Sequence, residues 1–261
     1  MEKIKVFLSD PQVLFREGIH FILSGEEDFE VTGETTGNED AFSLIESNPP
    51  NIAILSMEDR KSPGPDITRR IRRNLPSVYV ILTTDKKEPE QIFSAIKSGT
   101  SACISKDADP EQLLDIIRVV AQGSLPLMEE IMTPAIAGMV IEDFKDNAAL
   151  NEQFDNLLST LTPKEQQILA AISAGSDMKQ IAAQLDTNED TVRRNMRLIL
   201  NKMVVNDQSR FAIETAQRNM PSIIRPRGKN HNLSEYVTRA EFNEFKEQLM
   251  KRFKSFIGEL G

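Results

Sequence analysis

Thr162-Pro163-Lys164-Glu165, Asp177-Met178-Lys179-Gln180 and Asn188-Glu189-Asp190-Thr191 are three helix-start signals in close succession. Each begins with a side-chain oxygen suited to cap a helix, and Thr162 and Asp177 are followed three residues later by Glu165 and Gln180, which complete capping boxes. Pro163 occupies the first helical position, where its missing N–H is not needed. Ile168, Leu169 and Ile172 form the apolar stripe of the first helix, and Ile181, Ala182 and Leu185 that of the second. Gly175 between them can take the left-handed conformation that stops a helix. The third helix opens with Glu189 and Asp190, the sign its dipole favours, and carries Val192, Met196, Ile199 and Met203 on one face. The pattern predicts a helix-turn-helix unit over residues 159–220.

The other face of the third helix is basic. Arg193, Arg194 and Arg197 lie at offsets of one and four, so they project together from its leading turns, where a recognition helix meets base edges and phosphates. The planar guanidinium can grip guanine O6 and N7 or straddle a phosphate, each good base contact contributing about 1–3 kcal/mol of discrimination. A charge run on a helix is by itself only a solvated face. The three caps and the short turn favour the reading as a DNA reader.

Leu161-Thr162-Pro163-Lys164-Glu165, Lys179-Gln180-Ile181-Ala182 with Leu185, Thr191-Val192-Arg193 and Ile199-Leu200-Asn201-Lys202-Met203 resemble the C-terminal DNA-binding domain of the LuxR/NarL type. The resemblance implies four helices, with the third in the major groove and a fourth, here about residues 209–218, supporting dimerisation. It places the DNA contacts on Thr191, Arg193, Arg194 and Arg197, with Lys179 a backbone contact from the preceding helix. Asn195 stands where that family often has histidine. Asparagine can pair with adenine N6 and N7, which would alter the target sequence.

Toward the N-terminus the pattern changes to alternating strands and helices. Strand-like runs at residues 3–8, 30–32, 52–55, 78–82 and 102–104 alternate with helical patterns near 13–23, 41–45, 67–73, 88–96 and 110–121. Such alternation predicts an α/β domain, a doubly wound parallel sheet, over residues 1–122. The near-continuous apolar third and fourth runs are those of strands buried on both faces. Chemistry in such sheets sits at the carboxyl ends of strands, here Ser9, Asp10, Ser56, Thr83 and Lys106.

That set, with Leu14-Phe15-Arg16-Glu17-Gly18, Lys97-Ser98-Gly99 and Ser105-Lys106-Asp107, resembles a response-regulator receiver domain. The family uses an aspartate at the end of the third strand as phosphate acceptor and two acids at the end of the first strand to help hold magnesium. Here the corresponding residues are Ser56 and Ser9-Asp10. Magnesium requires near-octahedral oxygen ligation, usually through carboxylates, and one carboxylate of three is a poor site. The expectation is a receiver-like domain without aspartyl-phosphate chemistry. Thr83 and Lys106 match the family's switch hydroxyl and phosphate-pairing lysine. They can be framework residues, Lys106 pairing with Asp10, or the pocket can sense an anion, a small ligand, a partner loop or a phosphate on Ser56; the framework reading is favoured. Glu58 and Asp59 fall beyond the strand, too far along to be the acceptor. The proline-rich loop over residues 57–66 predicts no regular helix before Asp66. Residues 88–121 form the region through which receivers commonly pair.

Composition fits a two-domain cytoplasmic regulator of 261 residues. No segment is apolar and long enough to span a membrane, and no secretory signal precedes the first strand. The single cysteine, Cys103, falls in an apolar strand, and the two histidines lack metal-ligand spacing, so no cofactor or metal is expected. No catalytic set is complete, which argues against an enzyme. The net charge of −9 is uneven. Residues 1–158 carry −13, residues 159–220 carry +1 and residues 221–261 carry +3. An acidic front domain leaves the reader's local field intact, although it can repel DNA. A weakly charged reader gains from dimerisation.

Residues 123–158 read as a helical linker, a packing helix spanning Leu127 to Phe144 followed by the polar stretch at 145–147. Its stripe of Met128, Ile131, Met132, Ile136, Met139 and Val140 can form a dimer seam or cover the receiver, the latter being commoner. Residues 221–261 hold a basic, proline-containing segment at 224–229, suited to solvent or to a narrow minor groove. A C-terminal amphipathic helix follows, with Phe242, Phe245, Leu249, Phe253, Phe256 and Leu260 on one stripe. A helix of that length is marginal alone, so the stripe is expected to pair with a dimer mate or dock on another protein. The expected partners are double-stranded DNA, a second copy of the chain, and RNA polymerase or a regulatory protein.

Overall fold

The structure is a computed structural model and describes residues 3–153 and 158–218. Its sheet has five parallel strands in the order β2-β1-β3-β4-β5, formed by β1 (Ile4–Ser9), β2 (Phe29–Thr35), β3 (Ile52–Ser56), β4 (Tyr79–Thr84) and β5 (Ala102–Ser105). Between and after them run α1 (Val13–Ser24), α2 (Asn38–Ser47), α3 (Gly64–Asn74), α4 (Pro89–Ser98) and α5 (Pro110–Ala121).

Alternation along each strand sends side chains to two layers. Val6, Leu8, Ile52, Ile54, Ile81 and Ile104 pack with Ile19 and Leu23 of α1 and with Leu113, Ile117 and Val120 of α5. Phe7, Ala53, Leu55, Val80, Leu82 and Cys103 pack on the opposite face with α2, α3 and α4. Every residue of β3 is buried. Full burial of one such leucine or isoleucine contributes about 1.5–3 kcal/mol, so these strands anchor the fold.

The linker differs from its expected form. Pro134, lacking an N–H, divides it into a 3-10 helix at Pro126–Met132 and a longer helix, α6 (Pro134–Gln153). The polar residues at 145–147 do not end it. Instead Asn147 is buried and its amide donates to Asp143 at 3.2 Å within α6. Leu127, Ile131, Ile136, Ala137, Val140 and Phe144 join the apolar cluster above α4, so the stripe packs inward. Helix α3 also starts earlier than expected, at Gly64, because Pro65 lies in the first turn, where no N–H is required.

Three helices follow: α7 (Pro163–Ser173), α8 (Met178–Gln184) and α9 (Glu189–Arg218). The separate fourth helix expected at residues 209–218 is absent, and α9 runs on as one helix of 30 residues. The physical reason is in its composition, since residues 189–218 contain neither glycine nor proline. The expected C-terminal stripe, Phe242, Phe245, Leu249, Phe253, Phe256 and Leu260, and the basic segment at 224–229 lie outside the described residues. Among the described residues no helix is long and apolar enough to cross a membrane.

Candidate nucleic-acid interface and strand-end pocket

The reader is set by its caps. Thr162 Oγ1 accepts the Glu165 N–H at 3.3 Å, while Glu165 Oε2 accepts the Thr162 N–H at 2.7 Å. Asp177 and Gln180 reciprocate at 2.8 and 2.9 Å, and Asn188 Oδ1 accepts the Thr191 N–H at 2.8 Å. Gly175 ends α7 with φ +87°, the left-handed value expected of it. The turn into α9 is made by Asp186, at φ 46°, a conformation a short polar side chain tolerates.

Glu165 has a second task that the sequence reading did not assign. Its carboxylate, almost wholly buried, receives Lys202 Nζ at 2.6 and 2.9 Å and so ties the start of α7 to the middle of α9. Asn206 adds a further tie, accepting the Ser159 N–H at 2.7 Å and donating to the Ser159 carbonyl at 2.9 Å. Asn151 of α6 holds Leu158 in the same two-bonded way, at 2.6 and 2.8 Å.

On this frame Val192, Met196, Ile199 and Met203 are fully buried, and Arg193, Arg194 and Arg197 stand exposed on the other side. Lys179 of α8 is exposed as well, and Thr191 and Asn195 are half-buried. Among the described residues none of the three arginines has an ion-pair partner, which leaves their charge available to phosphates or bases. Asn195 donates one amide N–H to the Thr191 carbonyl at 2.7 Å, and this bond restricts its reach toward a base.

The strand-end pocket is closed on itself. Lys106 Nζ lies near both carboxylate oxygens of Asp10, and Thr83 Oγ1 donates toward Asp10 Oδ2 and the Leu55 carbonyl, each at 3.3 Å. Arg16, buried on α1, donates through Nη1 to the Asp10 carbonyl at 2.9 Å. Ser9 Oγ donates to Asn38 Oδ1 at 2.7 Å. Ser56 ends β3 opposite Thr83, and its Oγ is buried without a protein hydrogen-bond partner. The five residues expected at the strand ends therefore do come together. Arg16 and Asn38 were not anticipated, the first because an arginine on a helix ordinarily reads as solvated.

Asn38 is the hub of the loop after β3. Its Nδ2 donates to the carbonyls of Ser56 and Ser62 at 2.8 and 3.0 Å, and its N–H donates to Asp59 Oδ2 at 2.8 Å. Asp59 also accepts the N–H groups of Lys61 and Ser62 at 2.9 and 3.3 Å. Burial alone would raise the Asp59 carboxyl, yet these backbone donors and the nearby Lys61 hold it below its ordinary value. Glu58 accepts from the Thr84 hydroxyl and, at 3.1 Å, from the Asp85 N–H. Both acids are thus committed to the loop and to β4. Gly64 closes the loop where a side chain has no room, since a Cβ there would fall 2.6 Å from the Ser56 carbonyl.

Comparison with known proteins agrees with this division. Residues 6–118 match the response regulator receiver domain, and residues 159–214 match the luxR family of bacterial regulatory proteins. The chain is 27% identical over 219 residues to the transcriptional regulatory protein DegU of Brevibacillus brevis, covering 82% of this chain and 93% of that protein. It is 28% identical over 207 residues to a nitrate/nitrite response regulator homolog of Haemophilus influenzae, covering 79% and 93%. It is 28% identical over 212 residues to the nitrate/nitrite response regulator NarL of Escherichia coli, covering 81% and 94%. With a receiver domain followed by a luxR-type DNA-binding domain, this chain is a transcriptional regulator of the response-regulator type.

Proposed function

We propose that the chain binds DNA sequence-specifically through α9, works without aspartyl phosphorylation and is controlled by dimerisation or by a partner protein. The observation that carries this reading is the exposed set of Arg193, Arg194 and Arg197, without an ion-pair partner among the described residues, on a helix whose opposite face is fully buried. In it these arginines, with Thr191, Asn195 and Lys179, make the DNA contacts. Phosphorylation independence is supported by the strand-end pocket, where Ser56 offers no carboxylate at the end of β3 and Asp10 is already neutralised by Lys106. Residues 221–261 serve assembly in this account, through the stripe from Phe242 to Leu260.

Gel shift of the full chain on random duplexes at low salt tests the DNA reading. Binding is expected, and Arg193→Ala with Arg197→Ala abolishes most of it; no binding by the unaltered chain contradicts the reading. Acetyl phosphate with magnesium is expected to leave no acid-labile phosphate on the chain, and stoichiometric modification contradicts phosphorylation independence. Truncation after Asn230 is expected to lower the oligomeric state measured by light scattering, the number of chains per particle, and an unchanged number would make the segment a dock for a partner. A second reading, a receiver-like interaction module for a kinase or RNA polymerase, is favoured by the outer face of α1, where Leu14 and Phe21 are 89% and 81% exposed. It predicts partner binding with no duplex binding.

A further inference from the structure

Asp207 lies on α9 about three turns beyond Arg197, and two cations of the receiver domain hold it. Arg69 of α3 donates from Nε to Asp207 Oδ2 at 2.5 Å and from Nη2 to Oδ1 at 3.4 Å, while its Nη1 takes Asp66 at 2.6 Å. Lys97 of α4 donates to Asp143 of α6 at 2.6 Å and stands 4.0 Å from Asp207 Oδ1. The Asp207 and Asp143 side chains are 11% and 8% exposed, so this network is far better shielded than an ordinary surface ion pair. Next to it Gly99, at φ +86°, lets the end of α4 meet α9 closely, for a Cβ there would come 3.3 Å from Val204 Cγ1. Receiver, linker and reader converge on one short stretch of α9.

That stretch connects to the arginines through unbroken helix, with no glycine or proline to act as a hinge. Whatever fixes Asp207 therefore fixes the direction of the turns that carry Arg193, Arg194 and Arg197. Those arginines are exposed while the grip on Asp207 is closed. A receiver that served here to mask the reader would bury them.

We propose that Arg69 and Lys97 are positioning residues for DNA binding: by gripping Asp207 they hold the base-reading turns of α9 in one orientation relative to the receiver domain, open to DNA. The proposal rests on the DNA-binding role of α9 given above. Releasing the grip frees the reader to sample other orientations, and apparent affinity falls by the fraction of chains left in the competent one. The receiver is in this view a mount for the reader, and a signal or partner that loosens α3 or α4 weakens DNA binding.

The test uses the full chain with spin labels at Glu46→Cys on the receiver and Ser173→Cys on the reader, both exposed positions. Distances are measured by electron–electron double resonance, and affinity for a random-sequence duplex is measured in the same chains. The clamped chain is expected to give one narrow distance distribution. Asp207→Asn, and separately Arg69→Gln with Lys97→Met, broaden it and weaken duplex binding about tenfold, as for a competent fraction near one in ten. Arg69→Lys, which keeps a cation between Asp66 and Asp207, is expected to retain the narrow distribution and most of the affinity, so that both readouts follow the charge on that side chain. An unchanged distribution, unchanged affinity in a chain that does bind DNA, or tighter binding on release overturns the proposal. Absence of binding by the clamped chain instead overturns the DNA-binding role itself, and the positioning role with it.

Discussion

Lys106 Nζ lies 2.9 Å from Asp10 Oδ2 and 3.2 Å from Oδ1, with the two side chains only 9% and 4% exposed. Each charge at the end of the sheet is answered by the other, and Thr83 adds a hydroxyl to the carboxylate. Asp10→Ala leaves the buried Lys106 ammonium with the exposed Asp85 carboxylate, 3.8 Å away, as its remaining ion-pair partner among the described residues, and is expected to cost about 3 kcal/mol. Asp10→Asn with Lys106→Met removes both charges and is expected to recover much of that loss. Urea unfolding of the three chains measures the difference; equal destabilisation by the single and double changes would mean the pair is not coupled.

The two capping roles at α7 separate by magnitude. Thr162→Ala removes one N-cap bond and is expected to cost about 1 kcal/mol. Lys202→Met leaves the buried Glu165 carboxylate without its cation and is expected to cost about 3–5 kcal/mol. Chemical denaturation followed by circular dichroism ranks them, and a reversed order would show that Glu165 is held mainly by the Thr162 N–H.

Asp59 makes stability depend on pH. Its folded carboxyl is held below the ordinary value of 3.8, so its three accepted bonds stabilise the fold fully above that pH. The contribution is lost as pH falls through the lower folded value. Asp59→Asn should therefore lower stability at pH 7 and flatten its fall between about pH 5 and 2. Thermal melts across that range check it, and parallel curves for the two chains would contradict it.

Cys103 is expected to be inert in the folded chain. Burial pushes its thiol up to about 12, and the thiolate is the reactive form. Ellman's reagent at pH 8 should find no thiol in native protein and one in denaturant, given the single cysteine of the sequence. Rapid reaction of the native chain would show that β5 opens readily.

What could be read from the sequence was what is decided locally. The caps at Thr162, Asp177 and Asn188 act on backbone three residues away, and the left-handed stop at Gly175 depends on glycine alone, so each was legible. The alternation of strands and helices is enough to place Ser56, Thr83 and Lys106 together at the carboxyl end of the sheet. The end of the third helix was misplaced because the expected break came from resemblance, while the residues themselves contain no breaker between Glu189 and Arg218. The break at Pro134 is masked in the linker because the apolar stripe continues across it. Arg69, Lys97 and Asp207 stayed hidden since each is an ordinary charged helix residue until α3, α4 and α9 are packed together. Asn38 was hidden likewise, for its partners come from two distant segments, the end of β1 and residues 56–62.

The central claim is that α9 meets DNA through its arginines. Duplex affinity measured from about 50 to 200 mM salt tests it most directly, because each phosphate neutralised adds about 0.9 to the slope of log K against log salt. Arg193→Ala with Arg197→Ala is expected to weaken binding and to reduce that slope by one to two units, the smaller value applying if one arginine reads a base. An affinity and slope unchanged by the two substitutions would contradict the account.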